Sequence, residues 1–381
     1  MPEPAEIAPS GETARRTRFR ELLGRAADPD GFVPFDRCME VALYGEGVGF
    51  YERERSPFGR SGDYYTAAHV TPLFGRTIAE RVRSVAATLP SETPCRVLEV
   101  GPGDGTLGES IVHGLSREKR AGERFEYVLV ERSRNLSERA FERVSAAGES
   151  AGIPVRVSGG VGADGPFQGV VIANELLDAQ PACRLLWDGE RWKELGLEIT
   201  PSRYAPATRA RERPVPPPAL PPAPAPETIF EVSPMAEAIV REVADHLLAG
   251  LFLVLDYGME ESELLVAHPF GTLAAVRRHE NVDDPFEEPG ACDLSVFVNF
   301  TRIRAAAATA GFRELAFRSQ AEALGAWGYP ALLEEAVRSA PSAEAEVRLR
   351  LASKNLLFGF ERFCALELAP SGIVRGRPGA T

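Results

Sequence analysis

Glycines alternate with other residues through Glu99-Val-Gly-Pro-Gly-Asp-Gly-Thr106, directly after the apolar run Cys95-Arg-Val-Leu98. Gly101, Gly103 and Gly105 let the chain leave a strand sharply, through backbone angles that other residues avoid, and let a ligand approach the backbone closely. A helix opening just beyond would aim its first amides back at that ligand. Glu131, at the end of the next apolar run, is placed to accept hydrogen bonds from a ribose. Gly103-x-Gly105-x-x-Gly108 also matches the dinucleotide fingerprint, so two ligand classes fit the turn. Glu99 separates them. A carboxylate beside the turn suits the ammonium of a methionyl group and repels a pyrophosphate. Position separates them too, since the turn follows a long helical region instead of opening the chain. The expected ligand is S-adenosylmethionine, held by Glu99, Gly101, Gly103, Gly105, Thr106 and Glu131.

A second polar group follows another apolar run, in Ala173-Asn-Glu-Leu-Leu-Asp-Ala-Gln-Pro181. At the carboxyl end of a strand in an open α/β sheet, this loop faces the same crevice as the glycine turn. Methyl transfer is an in-line displacement, for which a protein aligns the nucleophile and excludes water. Carboxylates hold a guanidinium in bidentate fashion, which makes arginine a candidate acceptor. Capping of a following helix by Asn174 or Asp178 is the competing explanation, but capping does not require all three polar residues. Asp63, in Gly62-Asp-Tyr-Tyr-Thr-Ala67, is a further candidate for the pocket wall. The catalytic candidates are therefore Asn174, Glu175, Asp178 and Asp63.

Positioning these residues requires alternating strands and helices. Strands are expected at 96–100, 125–130, 155–157, 169–173 and 251–255, with 313–318 and 363–368 as the last two. Helices are expected from the glycine turn to about residue 119, and over 136–147, 234–248 and 300–310. Such alternation builds a parallel sheet with helices on both faces. Upstream, helices are expected near Thr17, over 35–43, and along the helical-period stripe Val70, Phe74, Ile78, Val82 and Val85. Residues 185–199 read as a hairpin turning at Asp188-Gly189. Residues 205–227, dominated by Pro, Ala and Arg, read as an exposed polyproline-prone loop, and 259–298 as an irregular insertion with a strand-like 272–276. The expected division is an N-terminal helical region, 1–90, contributing to the cleft, and a cofactor-binding domain, 91–381, carrying both insertions.

The 381 residues suffice for one large domain with insertions, and 44% hydrophobic residues support a proper core. A formal net charge of −12 disfavours nucleic acid and anionic membranes as partners. No apolar run reaches the length of a membrane span. The five cysteines and five histidines are scattered without ligand spacing, so neither a metal site nor a disulfide framework is expected. The N-terminus carries arginines without an apolar segment, which disfavours a signal peptide and leaves a short mitochondrial transit peptide open.

Taken in order, these segments resemble the MidA family of methyltransferases, the complex I assembly-factor type. The resemblance extends over nearly the whole chain. It includes Tyr44-Gly-Glu-Gly-Val-Gly-Phe-Tyr51, Gly62-Asp63 with Thr66, Leu73-Phe-Gly75, Glu99 to Thr106, Val130-Glu131, and Ala173-Asn-Glu175 with Asp178 and Pro181. It continues through Glu231 with Ser233, Asp256-Tyr-Gly258, Pro289-Gly290 with Asp293-Leu294, and Phe358 to Leu366. The chain differs from the family's usual pattern at Ala68-His69, Asp104 and Asn299. The resemblance implies a seven-stranded, Rossmann-like class I methyltransferase fold with an added helical region, and S-adenosylmethionine as cofactor. It also implies a protein substrate, methylated on arginine to symmetric dimethylarginine, in a respiratory complex I subunit. Members are cytoplasmic in bacteria, which the composition here suits, and mitochondrial in eukaryotes. Alternative readings of the same residues are a non-catalytic assembly factor, a small-molecule methyltransferase or, from the dinucleotide fingerprint, a dehydrogenase. The sequence names no oligomeric state.

Overall fold

A computed structural model describes residues 11–53, 66–90, 92–117, 124–200, 203–210 and 224–372. The chain begins with α1 (Gly11–Ala26), β1 (Phe32–Pro34) and α2 (Phe35–Tyr44), then α3 (Ala67–Val70) and α4 (Leu73–Ala86). The expected alternation starts at β2 (Cys95–Val100) and runs through α5 (Thr106–Arg117), β3 (Phe125–Val130), α6 (Arg134–Ala151), β4 (Val155–Val157) and β5 (Phe167–Asn174). An antiparallel excursion follows: β6 (Cys183–Trp187), β7 (Trp192–Ile199), β8 (Tyr204–Ala210) and β9 (Ile229–Val232). The alternation resumes with α7 (Pro234–His246) and β10 (Leu247–Met259). Then come α8 (Glu261–Ala267), β11 (Ala274–Arg277), β12 (Glu280–Asn281), β13 (Asp293–Ser295) and β14 (Val298–Asn299). The chain closes with α9 (Phe300–Thr309), β15 (Phe312–Ser319), α10 (Gln320–Ala326), α11 (Tyr329–Arg338), α12 (Ala343–Phe358) and β16 (Phe363–Pro370).

The large sheet has the order β15-β16-β10-β5-β2-β3-β4, with β14 paired to the end of β10. Its path of seven strands is the one the resemblance implies. From β10 to β4 the strands are parallel, and β16 is antiparallel to both its neighbours. β5 and β10 are nearly continuous apolar runs, as strands covered on both faces must be. Successive residues serve opposite faces. Val97, Val170, Ile172 and Leu253 join a core with Phe74 and Ile78 of α4 and Ile111 of α5. Leu98, Val171, Phe252 and Val254 join another with Val240 of α7 and Ile303 of α9. The sheet grows from β2 through β3 to β4, then crosses back to set β5 and β10 on the other side of β2. A crevice opens at this reversal, beyond the carboxyl ends of β2 and β5. Phe252 is fully buried at the sheet's centre, so Phe252→Ala is expected to destabilise the fold by about 3–5 kcal/mol in urea unfolding. A loss below about 1 kcal/mol would contradict that packing.

A separate core joins Phe19 and Leu23 of α1, Met39 and Leu43 of α2, Leu197 of β7 and Leu294 of β13. The first helices therefore pack on the two insertions. α4, grouped by sequence with residues 1–90, packs in the main-sheet core instead. The reading of 205–227 as a loop requires correction at its start. β8 is an edge strand paired with β7 from Lys193↔Ala210 to Ile199↔Tyr204. A strand edge tolerates Pro206, and the Pro-Ala-Arg composition concealed the pairing. Residues 211–223 lie outside those described. The insertion 259–298 is more regular than expected, with α8 and a three-stranded sheet ordered β12-β11-β13. The helix expected over 234–248 ends at His246, and β10 takes over from Leu247. Among the described residues, no helix is long and apolar enough to cross a membrane.

Candidate active site

β2 stops at Val100 because the next residues bend the chain away from the sheet. Gly101, Gly103 and Gly105 all have positive φ, at 69°, 56° and 81°, a region costly for side chains with a Cβ. A Cβ on Gly105 would lie 2.9 Å from the Ala140 Cα, so this glycine presses the turn against α6. The turn borders a cavity of about 550 Å³, in the range of small-molecule sites. Glu99, Gly101, Gly103, Thr106, Glu131, Asn174 and Glu175 all line it. Gly105 and Asp178 do not appear on its wall, and Asp63 lies outside the described residues.

The two carboxylates beside the turn share this cavity. Glu99 is 2% exposed and accepts a hydrogen bond from Tyr127 Oη at 2.7 Å. Burial pushes its carboxyl up to about 7, opposed by the Tyr127 hydrogen bond and reinforced by Asp104 and Glu131. Glu131 accepts from the Ser133 amide at 2.9 Å and the Gly103 amide at 3.4 Å. Burial also pushes Glu131 up to about 7, against those amides. Both groups are therefore primed to ionise when a cation or a hydroxyl donor arrives.

No helix follows Asn174, so the capping explanation does not apply. Instead Glu175 sits at φ 49°, a strained conformation for a residue with a side chain. Its own amide donates to Leu255 O at 2.8 Å, and its Oε1 accepts from the Ala67 amide at 2.9 Å. Burial pushes the Glu175 carboxyl up to about 8, with the Ala67 amide opposing and Asp178 adding to the rise. Asn174 Nδ2 points to Glu175 Oε1 at 3.4 Å, which orients the amide. Its Oδ1 is buried without a hydrogen-bond partner among the described residues.

The residue that fixes this loop is Asp256. Fully buried at the end of β10, it accepts through Oδ2 from the amides of Leu176, Leu177 and Asp178 at 3.1, 2.8 and 3.4 Å. Asp178 lies behind the cavity wall. Burial, and then the charges of Asp256 and Asp293, raise its carboxyl well above the usual range. A lone acid after an apolar strand, facing a loop about eighty positions away, carries no local signal. The far side of the cavity was also unforeseen: Gly159, Gly160 and Val161 after β4, with Met235, Ile239 and Glu242 of α7. The glycine pair after a short strand was the available clue.

At the near side, Thr66, Ala68 and His69 line the cavity opposite Asp104. Burial would raise Asp104, but His69, Thr106 and Arg143 prevail and hold it down at about 2. Away from the cavity wall, Asp36, Cys183 and Glu194 bring potential metal-ligand atoms within 4.8 Å of one another. The spacing of these residues in the sequence did not suggest this grouping.

Comparison with known proteins supplies an independent reading of the same cleft. The model of a family described as S-adenosyl-L-methionine-dependent methyltransferase matches residues 73–318, well over half of the chain. Protein arginine methyltransferase NDUFAF7 homolog, mitochondrial, of Drosophila melanogaster is 27% identical over 342 residues, covering 82% of this chain and 74% of that protein. Protein arginine methyltransferase NDUFAF7, mitochondrial, of Homo sapiens is 25% identical over 302 residues. That match covers 72% of this chain and 65% of the human protein, just under two thirds of its length. A Burkholderia thailandensis protein crystallised with S-adenosyl-homocysteine superposes with a TM-score of 0.83 at 27% identity, covering 98% of this chain and 99% of that one.

Proposed function

This chain belongs to the family of S-adenosyl-L-methionine-dependent methyltransferases, and from that premise we propose that it methylates arginine side chains of a protein. The observation that carries the acceptor class is the pair of acceptors side by side on the cavity wall. Asn174 Oδ1 lacks a partner among the described residues, and the Glu175 carboxyl lies beside it. Together they suit a planar group rich in N–H donors, which a guanidinium is. The names of the fly and human relatives, both protein arginine methyltransferases, support the same class.

The cavity residues fit the cofactor. Glu131 is assigned to the ribose hydroxyls and Glu99 to the methionyl ammonium. Gly103 keeps the approach clear, Gly101 leaves room for Leu176 on the cavity wall, and Thr106 opens α5 beneath it. When bound, the cofactor supplies a methyl group activated on a sulfonium sulfur. Asn174 orients the acceptor nitrogen, and Glu175 takes the proton that this nitrogen sheds as its bond to carbon forms. Burial makes Glu175 basic enough for that task near neutral pH. Asp178 and Asp256 act from behind, holding the loop in its strained shape.

By the family resemblance, the substrate is a subunit of respiratory complex I. The compartment is the bacterial cytoplasm, or the mitochondrial matrix in a eukaryotic cell. The test is transfer of labelled methyl from S-adenosylmethionine to complex I subunits by the purified chain, with mass spectrometry of the product. Methylated arginine is expected. Cofactor binding without any product would point to a non-catalytic assembly factor, and label found only in small molecules would contradict the protein substrate.

The raised carboxyls fix a pH dependence. Glu99 and Glu131 rise from 4.5 to about 7 on folding. The free protein thus holds protons that the unfolded chain has lost, and its stability falls as pH rises from about 4.5 through 7. Cofactor binding that needs these groups ionised releases protons. Affinity is therefore expected to rise about tenfold per coupled group between roughly pH 6 and 7.5. Calorimetry in buffers of different ionisation enthalpy reads this directly, and a flat affinity with no proton release would refute the assignment.

A further inference from the structure

The segment 66–69 touches both halves of the cleft. Ala67 donates its amide to Glu175 Oε1 at 2.9 Å, on the acceptor side. Two residues on, His69 Nε2 lies 3.4 Å from Asp104 Oδ2, in the glycine turn. The imidazole is oriented by Thr66, whose Oγ1 is 2.7 Å from His69 Nδ1, leaving Nε2 directed at Asp104. The His69 and Asp104 side chains are each 13% exposed. Ala67 and Ala68, within the same segment, are buried against the main-sheet core, so residues 66–69 shift as one piece and a restraint on His69 is felt at the Ala67 amide. Asp104 is fixed in turn by the Thr106 amide at 3.1 Å and by Arg143 at 3.5 Å.

We propose that His69 is a positioning residue: it ties the cofactor turn to the segment whose Ala67 amide aims Glu175, so that cofactor binding sets the geometry of the acceptor side. The proposal rests on the reading of Glu175 as an acceptor-side group, and nothing in the transfer chemistry passes through His69 itself. The chain of contacts is contiguous and short. A ligand seated against the turn restricts Asp104. Asp104 restricts His69, and His69 restricts the amide on which Glu175 depends. By linkage, an occupied acceptor side must also tighten the cofactor side to the same degree.

Amide hydrogen exchange of the full chain, with and without S-adenosylhomocysteine, tests this without a known acceptor. In the wild type the ligand is expected to slow exchange about tenfold or more both at 101–108 and at 174–180. In His69→Ala, 101–108 keeps its protection while the gain at 174–180 falls below about twofold. His69→Gln, whose amide reaches as far as Nε2 and can bridge the same two groups, restores it. Equal protection at 174–180 in His69→Ala and the wild type would overturn the coupling. So would ligand protection confined to 101–108 in the wild type. In turnover, His69→Ala is expected to lower kcat and, at saturating acceptor, to raise KM for the cofactor by the coupling lost, with His69→Gln recovering most of both. A chain that shows the exchange pattern yet methylates no arginine would retain the coupling and lose the substrate assignment, so the two failures are distinguishable.

Discussion

Glu175→Gln is expected to slow methyl transfer by about 10²- to 10⁴-fold, the usual contribution of a positioned proton acceptor. Its affinity for S-adenosylhomocysteine should stay within about threefold of the wild type, less than 1 kcal/mol. Glutamine matches glutamate in size and keeps an oxygen for the Ala67 amide, whose bond to Oε1 is 2.9 Å. It also accepts the same φ of 49° no worse than glutamate does. What it lacks is the ability to take a proton. The pH profile separates this chemical role from a steric one. The wild-type kcat/KM should rise through an acidic limb set by Glu175, whose burial places its carboxyl at about 8, and the variant should lose that limb. Full activity in Glu175→Gln would remove this residue from the reaction.

Gly103→Val is expected to weaken S-adenosylhomocysteine binding by more than about 100-fold, close to 3 kcal/mol. Gly103 lines the cavity and has φ 56°, which a β-branched side chain adopts only at high cost. Its amide also points to Glu131 Oε2, so a shifted turn disturbs the proposed ribose contact as well. Gly103→Ala is the companion variant, because its smaller side chain should cost only about 1–2 kcal/mol of stability at this φ and still weaken binding about tenfold. Calorimetry on both, beside circular dichroism, separates lost binding from lost folding. Unchanged affinity in a folded Gly103→Val protein would refute the close approach of ligand to backbone.

The sequence revealed those parts of the fold where local pattern and tertiary role coincide. β2, β3, β5 and β10 are apolar runs with a buried destiny on both faces, and the glycine turn has no other economical use for alternating residues without side chains. The Asp188-Gly189 turn likewise predicts the β6–β7 hairpin, which the pairing Trp187↔Trp192 closes. Legibility failed where a residue acts across the fold. Asp256 is an ordinary acid in the sequence, and only β10 beside β5 brings it to the amides of residues 176–178. Asp178 looked like a contact for substrate, yet the backbone bonds of this loop turn it inward. β8 was hidden because proline and alanine suggest an extended loop, while an edge strand needs hydrogen bonds on one side only. The helices α10, α11 and α12 fill a stretch for which no element was expected; the weakly contrasted faces of α12 explain its omission, whereas α11 is clearly amphipathic and was legible.

The claim on which the mechanism depends is that the cofactor lies with its sulfur toward Asn174 and Glu175. A crystal structure of this chain with S-adenosylhomocysteine tests it most directly. The account predicts ribose hydroxyls on Glu131, the methionyl ammonium near Glu99, and the sulfur facing the 174–175 wall. A ligand seated in reverse, with its sulfur toward Gly160 and Glu242 and its base against Glu175, would contradict it.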